Sequence, residues 1–214
     1  MDDHDERVAE MKQRGISDLA SGIERATLSG QALLTAARMG MEGHSINGDP
    51  DLLALLGFVN RARSLHEGSV SAIVADNPFA AAACLRAYSE LVGALIWIRD
   101  KPKDLGRFAH TADKSDAPTI GRIKNGVRND SSAFESIYDN LSGYVHPTSM
   151  GGLLSFTMPS ADVIEWHSEP TFRQEHSRMR FCSWVVECAE FAGALLIGLF
   201  VDYWRTRLDQ EAAD

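Results

Sequence analysis

Several short motifs that define common enzyme classes are missing from this 214-residue sequence. It has no G-x-S-x-G turn, no phosphate loop of the Walker type and no G-x-G-x-x-G fingerprint, which disfavours a hydrolase fold or a nucleotide-binding sheet. None of the seven histidines has a glutamate three residues before it, as the di-iron helical bundles require. We therefore expect no cofactor and no bound metal ion.

Cysteine is also scarce, and its pattern does not suggest zinc or redox chemistry. The three cysteines, Cys84, Cys182 and Cys188, all lie in apolar stretches, and no C-x-x-C pair occurs. Reduced thiols in the core of a cytoplasmic protein explain them. The N-terminal residues M-D-D-H-D-E-R lack the basic start and apolar run of a signal peptide, so we expect no export.

Basic residues are outnumbered, and the net charge of −9 argues against an indiscriminate nucleic-acid binder. Residues 99–128 are the exception, because eight basic and four acidic side chains give this segment a local charge of +4. It could form a phosphate-facing patch or a merely solvated surface. The candidate substrate-binding residues within it are Lys101, Lys103, Arg107, Arg122, Lys124 and Arg128.

Apolar residues recur at helical spacing along most of the chain, which predicts an all-α fold. We expect one domain over residues 1–214, a bundle of four to five long helices with a short β-hairpin near 153–167. The strands should cover Leu153–Met158 and Val163–His167, with the hairpin packed on the bundle. The predicted helices span about 1–40, 50–75, 78–99, 131–145 and 171–208, with a short helix from about 118.

Proline and glycine mark several of these boundaries. Asp49-Pro50 and Asn77-Pro78 each combine an N-cap residue with a proline suited to the first helical position. The glycines of the first 40 residues are interpreted as packing sites within one long helix. That helix could be an arm or a dimerisation element, and we expect a homodimer through the first or the last helix.

Two predicted helices are apolar on almost every side, those starting at Pro78 and near Thr171. They carry Arg86, Glu90, Glu187 and Glu190, which would be costly in lipid, so we expect buried core helices and no membrane span. Arg86 and Glu90 stand four residues apart, where their side chains can meet. In an apolar helix such a pair must be desolvated, which favours either a structural ion pair or a functional site.

The strongest candidate for a site is the stretch Y-D-N-L-S-G-Y-V-H-P at 138–147. On a helix, Tyr138, Ser142 and His146 form one polar stripe, and Pro147 places His146 at or just past the helix end. Alternatively, Ser142 bonds back to the preceding turn and His146 merely terminates the helix. We expect the stripe to face Arg86 and Glu90 across the bundle core, which would bring together a cation, a carboxylate and a titratable imidazole.

The segments L-R-A-Y-S-E at 85–90 and Y-D-N-L-S-G-Y-V-H-P resemble a family of bacterial all-α proteins with Arg-x-x-x-Glu and Ser-x-x-x-His-Pro motifs. That family is similar to the HEPN (higher eukaryotes and prokaryotes nucleotide-binding) domains, many of which are dimeric, metal-independent endoribonucleases of toxin and phage-defence systems. The resemblance covers roughly residues 50–205. It implies Arg86, Glu90, Tyr138, Ser142 and His146 as catalytic residues and RNA as the substrate.

The sequence departs from the HEPN pattern at one point. HEPN ribonucleases usually carry an arginine separated by four to six residues from the catalytic histidine on the same helix, and none stands at that distance before His146. Arg61–His66 and Arg38–His44 do fit the spacing, but 16 arginines and seven histidines yield such pairs by chance. The missing cation would therefore have to come from Arg86.

Three functions remain open on these residues. The first is a HEPN-like effector with endoribonuclease activity. The second is a non-catalytic bundle that binds a protein partner or small ligand, in which Arg86, Glu90 and His146 form a structural network. The third is an enzyme for a small metabolite, which an apolar pocket beside His146 would indicate.

Overall fold

The computed structural model describes residues 3–42, 48–109, 118–127, 132–145, 155–160 and 162–212. They form an all-α bundle with one antiparallel hairpin, as the sequence predicts. In chain order the elements are α1 (Asp3–Gln13), α2 (Leu19–Ser29), α3 (Gln31–Met41), α4 (Pro50–Val74), α5 (Pro78–Asp100), a 3-10 turn (Pro102–Asp104), α6 (Leu105–Ala109), α7 (Ile120–Val127), α8 (Ser132–Val145), β1 (Phe156–Ser160), β2 (Val163–Trp166) and α9 (Glu175–Glu211).

The N-terminal region consists of three helices, and the prediction of one long helix over residues 1–40 is wrong. Gly15 has a φ of 77°, a left-handed conformation that ends α1. Asp18 then caps α2, because its carboxylate accepts the backbone N–H of Ser21 at 2.8 Å and the Ser21 hydroxyl accepts the backbone N–H of Asp18 at 3.1 Å. Gly30 separates α2 from α3.

Helices α2 and α3 are part of the core and do not form an arm. Leu33 and Ala36 of α3 are fully buried, and α3 packs along α9. The two helices approach so closely that a Cβ added at Gly193 would lie 2.9 Å from the Cβ of Ala32. A glycine at position 193 is therefore required for this packing.

Helices α4 and α5 begin where the Asp-Pro and Asn-Pro pairs predict. The Asp49 carboxylate accepts the backbone N–H of Asp51 at 2.9 Å, and the Asn77 side chain accepts that of Ala80 at 3.0 Å. Each bond satisfies an N–H group that has no partner within the helix. Pro50 and Pro78 occupy the first helical positions, which need no N–H donor.

Helices α5 and α9 supply much of the core and are also long and apolar enough to cross a membrane by length and composition alone. Within the bundle, 61% of the most apolar window of each helix is buried. The core helix of a soluble protein meets the same criterion, so this finding does not decide between the two settings.

The cysteines lie in these core helices as free thiols. Cys182 and Cys188 are buried, and Cys84 is half-buried. Burial raises the pKa of all three thiols, that of Cys182 to about 11. Because the thiolate is the reactive form, these environments suit inert packing residues.

The hairpin pairs Phe156 with Trp166 and stands with one apolar face in solvent. Alternation along β2 places Ile164 on the same face as Trp166, and Met158 lies where the pairing register shifts between Thr157 and Ser160. The four side chains are between 36% and 66% exposed. The expected packing of the hairpin on the bundle is therefore not found on this face, although Arg173 ties its base by donating to the carbonyl of Phe156 at 2.6 Å.

Candidate active site around Arg86 and Tyr138

The packing of α5 against α8 brings Arg86 and Tyr138 together from positions 52 residues apart in the chain. Nη2 of Arg86 donates to the Tyr138 hydroxyl at 3.0 Å, and the guanidinium carbon lies 5.1 Å from the ring centroid. The side chain of Arg86 is 19% exposed. The tyrosine therefore orients the guanidinium by a hydrogen bond and by its ring, and part of the arginine side chain remains exposed to solvent.

Glu90 lies one turn further along α5 and completes the expected pair with Arg86. Its Oε1 is 3.5 Å from Nε of Arg86, and its side chain is 37% exposed. The sequence predicted a fully desolvated pair, and the structure corrects this, because the pair sits at the edge of the bundle. Such a half-solvated contact contributes little stability, on the order of 0–1 kcal/mol. Glu90 can thus hold the guanidinium in place and still be displaced by another anion.

A second cation, Lys124 of α7, reaches the same aromatic ring. Its ammonium lies 5.4 Å from the Tyr138 ring centroid and 2.6 Å from Oδ1 of Asp139. Asp139 is more than half exposed. Tyr138 thus contacts two cations, each of which has a solvent-accessible carboxylate beside it. Sequence reasoning missed Asp139, although its position next to Tyr138 is visible in the sequence.

Ser142 does not point its hydroxyl hydrogen into this cluster. Its Oγ donates to the backbone carbonyl of Tyr138 at 2.8 Å. This is the hydrogen bond to the preceding turn that the sequence offered as the alternative to a role in the site. Helix α8 ends at Val145. His146 follows directly and lies outside the described residues, so its meeting with Arg86 and Glu90 stays a prediction.

Five of the six predicted substrate-binding cations lie in the described residues, and they divide into two groups. Lys124 and Arg122 lie on α7, where Lys124 contacts the Tyr138 ring and Arg122 is exposed, whereas Lys101, Lys103 and Arg107 follow the end of α5. At 1.5 Å per residue, the end of α5 is about 20 Å along the helix from Arg86. These three therefore do not share a site with Arg86, and Arg128 lies outside the described residues.

Local contacts already engage two cations at the far end of α5. The ammonium of Lys101 lies 3.2 Å from the Trp97 ring centroid, and Arg107 pairs with Asp104 at 3.2 Å. The indole N–H of Trp97 donates to the same Asp104 carboxylate at 2.8 Å. Packing at the helix end thus accounts for Lys101 and Arg107.

The Arg61–His66 pair, which fits the HEPN spacing, does not form a site in the described residues. Five residues correspond to roughly 140° of rotation around a helix, and Arg61 is exposed whereas His66 is buried. Nε2 of His66 lies 2.8 Å from the carbonyl of Ala26 and 3.2 Å from the hydroxyl of Ser29. Burial lowers the pKa of this imidazole, which favours a neutral ring donating to the Ala26 carbonyl.

Two of the clefts among the described residues have volumes of about 490 Å³ and about 300 Å³, and neither of these two is lined by Arg86 or Tyr138. The described residues also contain no group of three or more histidine, cysteine or acidic side chains that could hold a metal ion.

The guanidinium of Arg86 is held between Tyr138 and Glu90, and Lys124 lies across the tyrosine ring. Such an arrangement can bind a phosphate or carboxylate group.

The fold and the site thus define an all-α bundle with a polar, partly solvated arginine–tyrosine centre between two core helices. Comparisons with protein-family models, with curated proteins and with solved structures found no match to the chain.

Proposed function

We propose that the protein is a HEPN-like effector that cleaves RNA without a metal ion and that Arg86 binds the scissile phosphate. The observation that carries this proposal is the fixed guanidinium of Arg86, oriented by Tyr138 and Glu90 and only partly shielded from solvent. An arginine oriented in this way can donate two parallel hydrogen bonds to a phosphate and stabilise charge as it develops.

In this mechanism His146 takes the proton of the ribose 2′-hydroxyl while water protonates the leaving 5′-oxygen, or it protonates the 5′-oxygen while water takes the 2′-proton. The 2′-oxygen attacks the phosphorus, the bond to the 5′-oxygen breaks, and the products carry a 2′,3′-cyclic phosphate and a 5′-hydroxyl. Arg86 stabilises the negative charge on the phosphorane oxygens. Tyr138 and Glu90 position Arg86, and the neighbouring Lys124 and Arg122 contact the adjacent backbone phosphates.

Incubation of the purified protein with a labelled RNA oligonucleotide in excess EDTA tests the activity. We expect cleavage in EDTA, products with 2′,3′-cyclic phosphate ends, and no cleavage of an oligonucleotide with 2′-deoxyribose at the scissile position. His146→Ala should abolish cleavage while the protein stays folded. Cleavage that requires Mg²⁺, or that His146→Ala leaves unchanged, would contradict the proposed mechanism.

A second candidate function is the binding of a protein partner by a non-catalytic bundle, and the hairpin favours it. An isolated two-stranded hairpin is only marginally stable in water, yet Phe156, Met158, Ile164 and Trp166 present an apolar face to solvent. If wild-type protein cleaves no RNA while Trp166→Ser weakens the binding of an identified partner, this function replaces the first.

We propose that the effector is a homodimer in which the two copies meet through α9. Phe191 is 40% exposed and Val201 is 46% exposed, and both lie in the apolar middle of that helix. Ala194 and Gly198 are exposed between them, so a second helix could approach closely along this stripe. With a two-fold axis near the middle of this stripe, Phe191 of one copy would face Val201 of the other, and Ala194 would face Gly198.

A further inference from the structure

The larger of the two clefts lies at the end of the bundle, where α5 passes into the 3-10 turn and meets the start of α4 and the last turns of α9. Its volume is about 490 Å³, within the range of small-molecule sites. Ile98, on its wall, is about 18 Å along α5 from Arg86. The cleft is thus separate from the candidate active site.

The inner surface of this cleft is aliphatic. Leu55, Ile98, Leu105 and Leu199 line it, and each is at most 9% exposed. They come from four elements that the fold brings together, α4, α5, α6 and α9. Such a surface favours the apolar body of a ligand, because contact removes hydrocarbon from water on both sides.

One charged corner of the rim is fixed by contacts within the protein. The Asp49 carboxylate pairs with Nη1 of Arg207 at 3.1 Å and accepts a hydrogen bond from the Tyr203 hydroxyl. Burial and the neighbouring Asp49 raise the pKa of Tyr203 to about 12, so this hydroxyl stays protonated and keeps donating. Arg205 pairs with Asp202 at 3.4 Å on the same rim.

Lys103 and Asp51 also line the cleft, and neither forms an ion pair with another side chain among the described residues. Asp51 lies in the first turn of α4, where the helix N-terminus favours a carboxylate. Lys103 is exposed and supplies the unpaired positive charge beside the aliphatic surface.

We propose that this cleft binds a small amphipathic anion, a carboxylate or sulfonate on an aliphatic or aromatic body, with Lys103 as the partner of the anionic group. The four aliphatic side chains hold the body, and the Asp49–Tyr203–Arg207 corner fixes one side of the rim. This site does not depend on RNA cleavage, so either proposal can fail without the other.

A pair of fluorescent dyes tests the ion pair directly. 8-Anilinonaphthalene-1-sulfonate is anionic, and N-phenyl-1-naphthylamine has the same ring system without the sulfonate. Both are titrated against wild-type protein, against Lys103→Gln, and against Lys12→Gln as a matched control, since Lys12 is an exposed lysine on α1. Decanoate and decanol are then compared as competitors for the bound anionic dye.

We expect Lys103→Gln to weaken binding of the anionic dye about fivefold to tenfold and to change binding of the neutral dye by less than about twofold. Lys12→Gln should change neither, and decanoate should displace the dye at lower concentration than decanol. The proposal is overturned if wild-type protein binds the anionic dye no more tightly than the neutral one. It is also overturned if Lys103→Gln leaves the affinity for the anionic dye unchanged, or if Lys12→Gln weakens it equally.

Discussion

The guanidinium of Arg86 and the hydroxyl of Tyr138 meet at 3.0 Å, across the contact between α5 and α8. Because the same tyrosine ring also contacts Lys124, at 5.4 Å from its centroid, Tyr138 positions two cations at once. If these cations bind RNA, changes to the tyrosine should affect activity more than stability.

Removal of the Tyr138 hydroxyl should slow RNA cleavage without unfolding the protein. In Tyr138→Phe the ring stays and only the acceptor for Arg86 is lost, so we expect single-turnover cleavage to fall about tenfold and the free energy of unfolding to fall by about 1 kcal/mol. Quenched-flow cleavage and urea denaturation measure the two effects. Tyr144→Phe on the same helix is the control, and an equal loss of rate in that variant would remove the special role of Tyr138.

The stability of the protein should decrease when His66 must be protonated. Burial lowers the folded-state pKa of His66 below its ordinary value of 6.5, so the unfolded state binds the proton more readily. The contribution of this histidine is therefore fully present above about pH 6.5 and is lost as the pH falls toward the folded-state value. Urea denaturation across this range measures it.

His66→Gln isolates this term, because glutamine can still donate to the Ala26 carbonyl and does not titrate. The difference in unfolding free energy between wild type and this variant should shrink as the pH falls. As the pH falls, Glu187 changes the free energy of unfolding in the opposite direction to His66, because burial raises the pKa of its carboxyl despite the nearby Arg14. A difference that stays constant with pH would show that His66 is not held neutral.

The apolar face of the hairpin should contribute little to the stability of the bundle. Trp166 is 66% exposed, so we expect Trp166→Ser to change the free energy of unfolding by less than about 0.5 kcal/mol. Trp184 is 8% exposed and packs on Phe181 with 5.2 Å between ring centroids, so Trp184→Ser should cost about 3 kcal/mol or more. Comparable losses in the two variants would mean that the hairpin face is buried in solution.

The proposed dimer predicts that a charge in the middle of α9 produces monomers. Phe191→Glu places a carboxylate in the apolar stripe, whereas Leu208→Glu, at a position 58% exposed near the end of the same helix, is the matched control. Sedimentation velocity should find a wild-type dimer, a dimeric control and a monomeric Phe191→Glu variant. A monomeric wild-type protein would contradict the dimer.

Local signals in the sequence were sufficient to predict the middle of the fold. Asp49-Pro50 and Asn77-Pro78 predict the starts of α4 and α5, because capping depends only on neighbouring residues. The break at Gly15 was missed, since a glycine within an apolar stripe is compatible with helix packing as well as with a left-handed turn. The capping pair of Asp18 and Ser21 was the signal that could have revealed it.

The expected approach of the Tyr138 stripe to Arg86 is found at Tyr138 itself, because both residues stand out as polar positions on apolar helices. The partial exposure of Arg86 and Glu90 and the role of Asp139 were not predicted, because they depend on which faces of α5, α7 and α8 meet. The same limit applies to Lys103, which sequence proximity grouped with Lys124. Lys124 contacts the Tyr138 ring beside Arg86, whereas Lys103 follows the far end of α5.

The most direct measurement of the central claim compares two arginine variants in single-turnover RNA cleavage. Arg86→Ala removes the arginine between Tyr138 and Glu90. Arg63→Ala removes an arginine with the same four-residue spacing to its glutamate, Glu67 at 2.9 Å, on the solvent face of α4. Both variants should stay folded, which circular dichroism and urea denaturation can verify.

If Arg86 binds the scissile phosphate, its removal should lower the cleavage rate about a hundredfold to a thousandfold, and removal of Arg63 should change it by less than about twofold. Arg86→Lys should recover only a small part of the loss, because an ammonium cannot donate two parallel hydrogen bonds. A folded Arg86→Ala protein that cleaves RNA at the wild-type rate would contradict the assignment of Arg86 as the phosphate-binding residue.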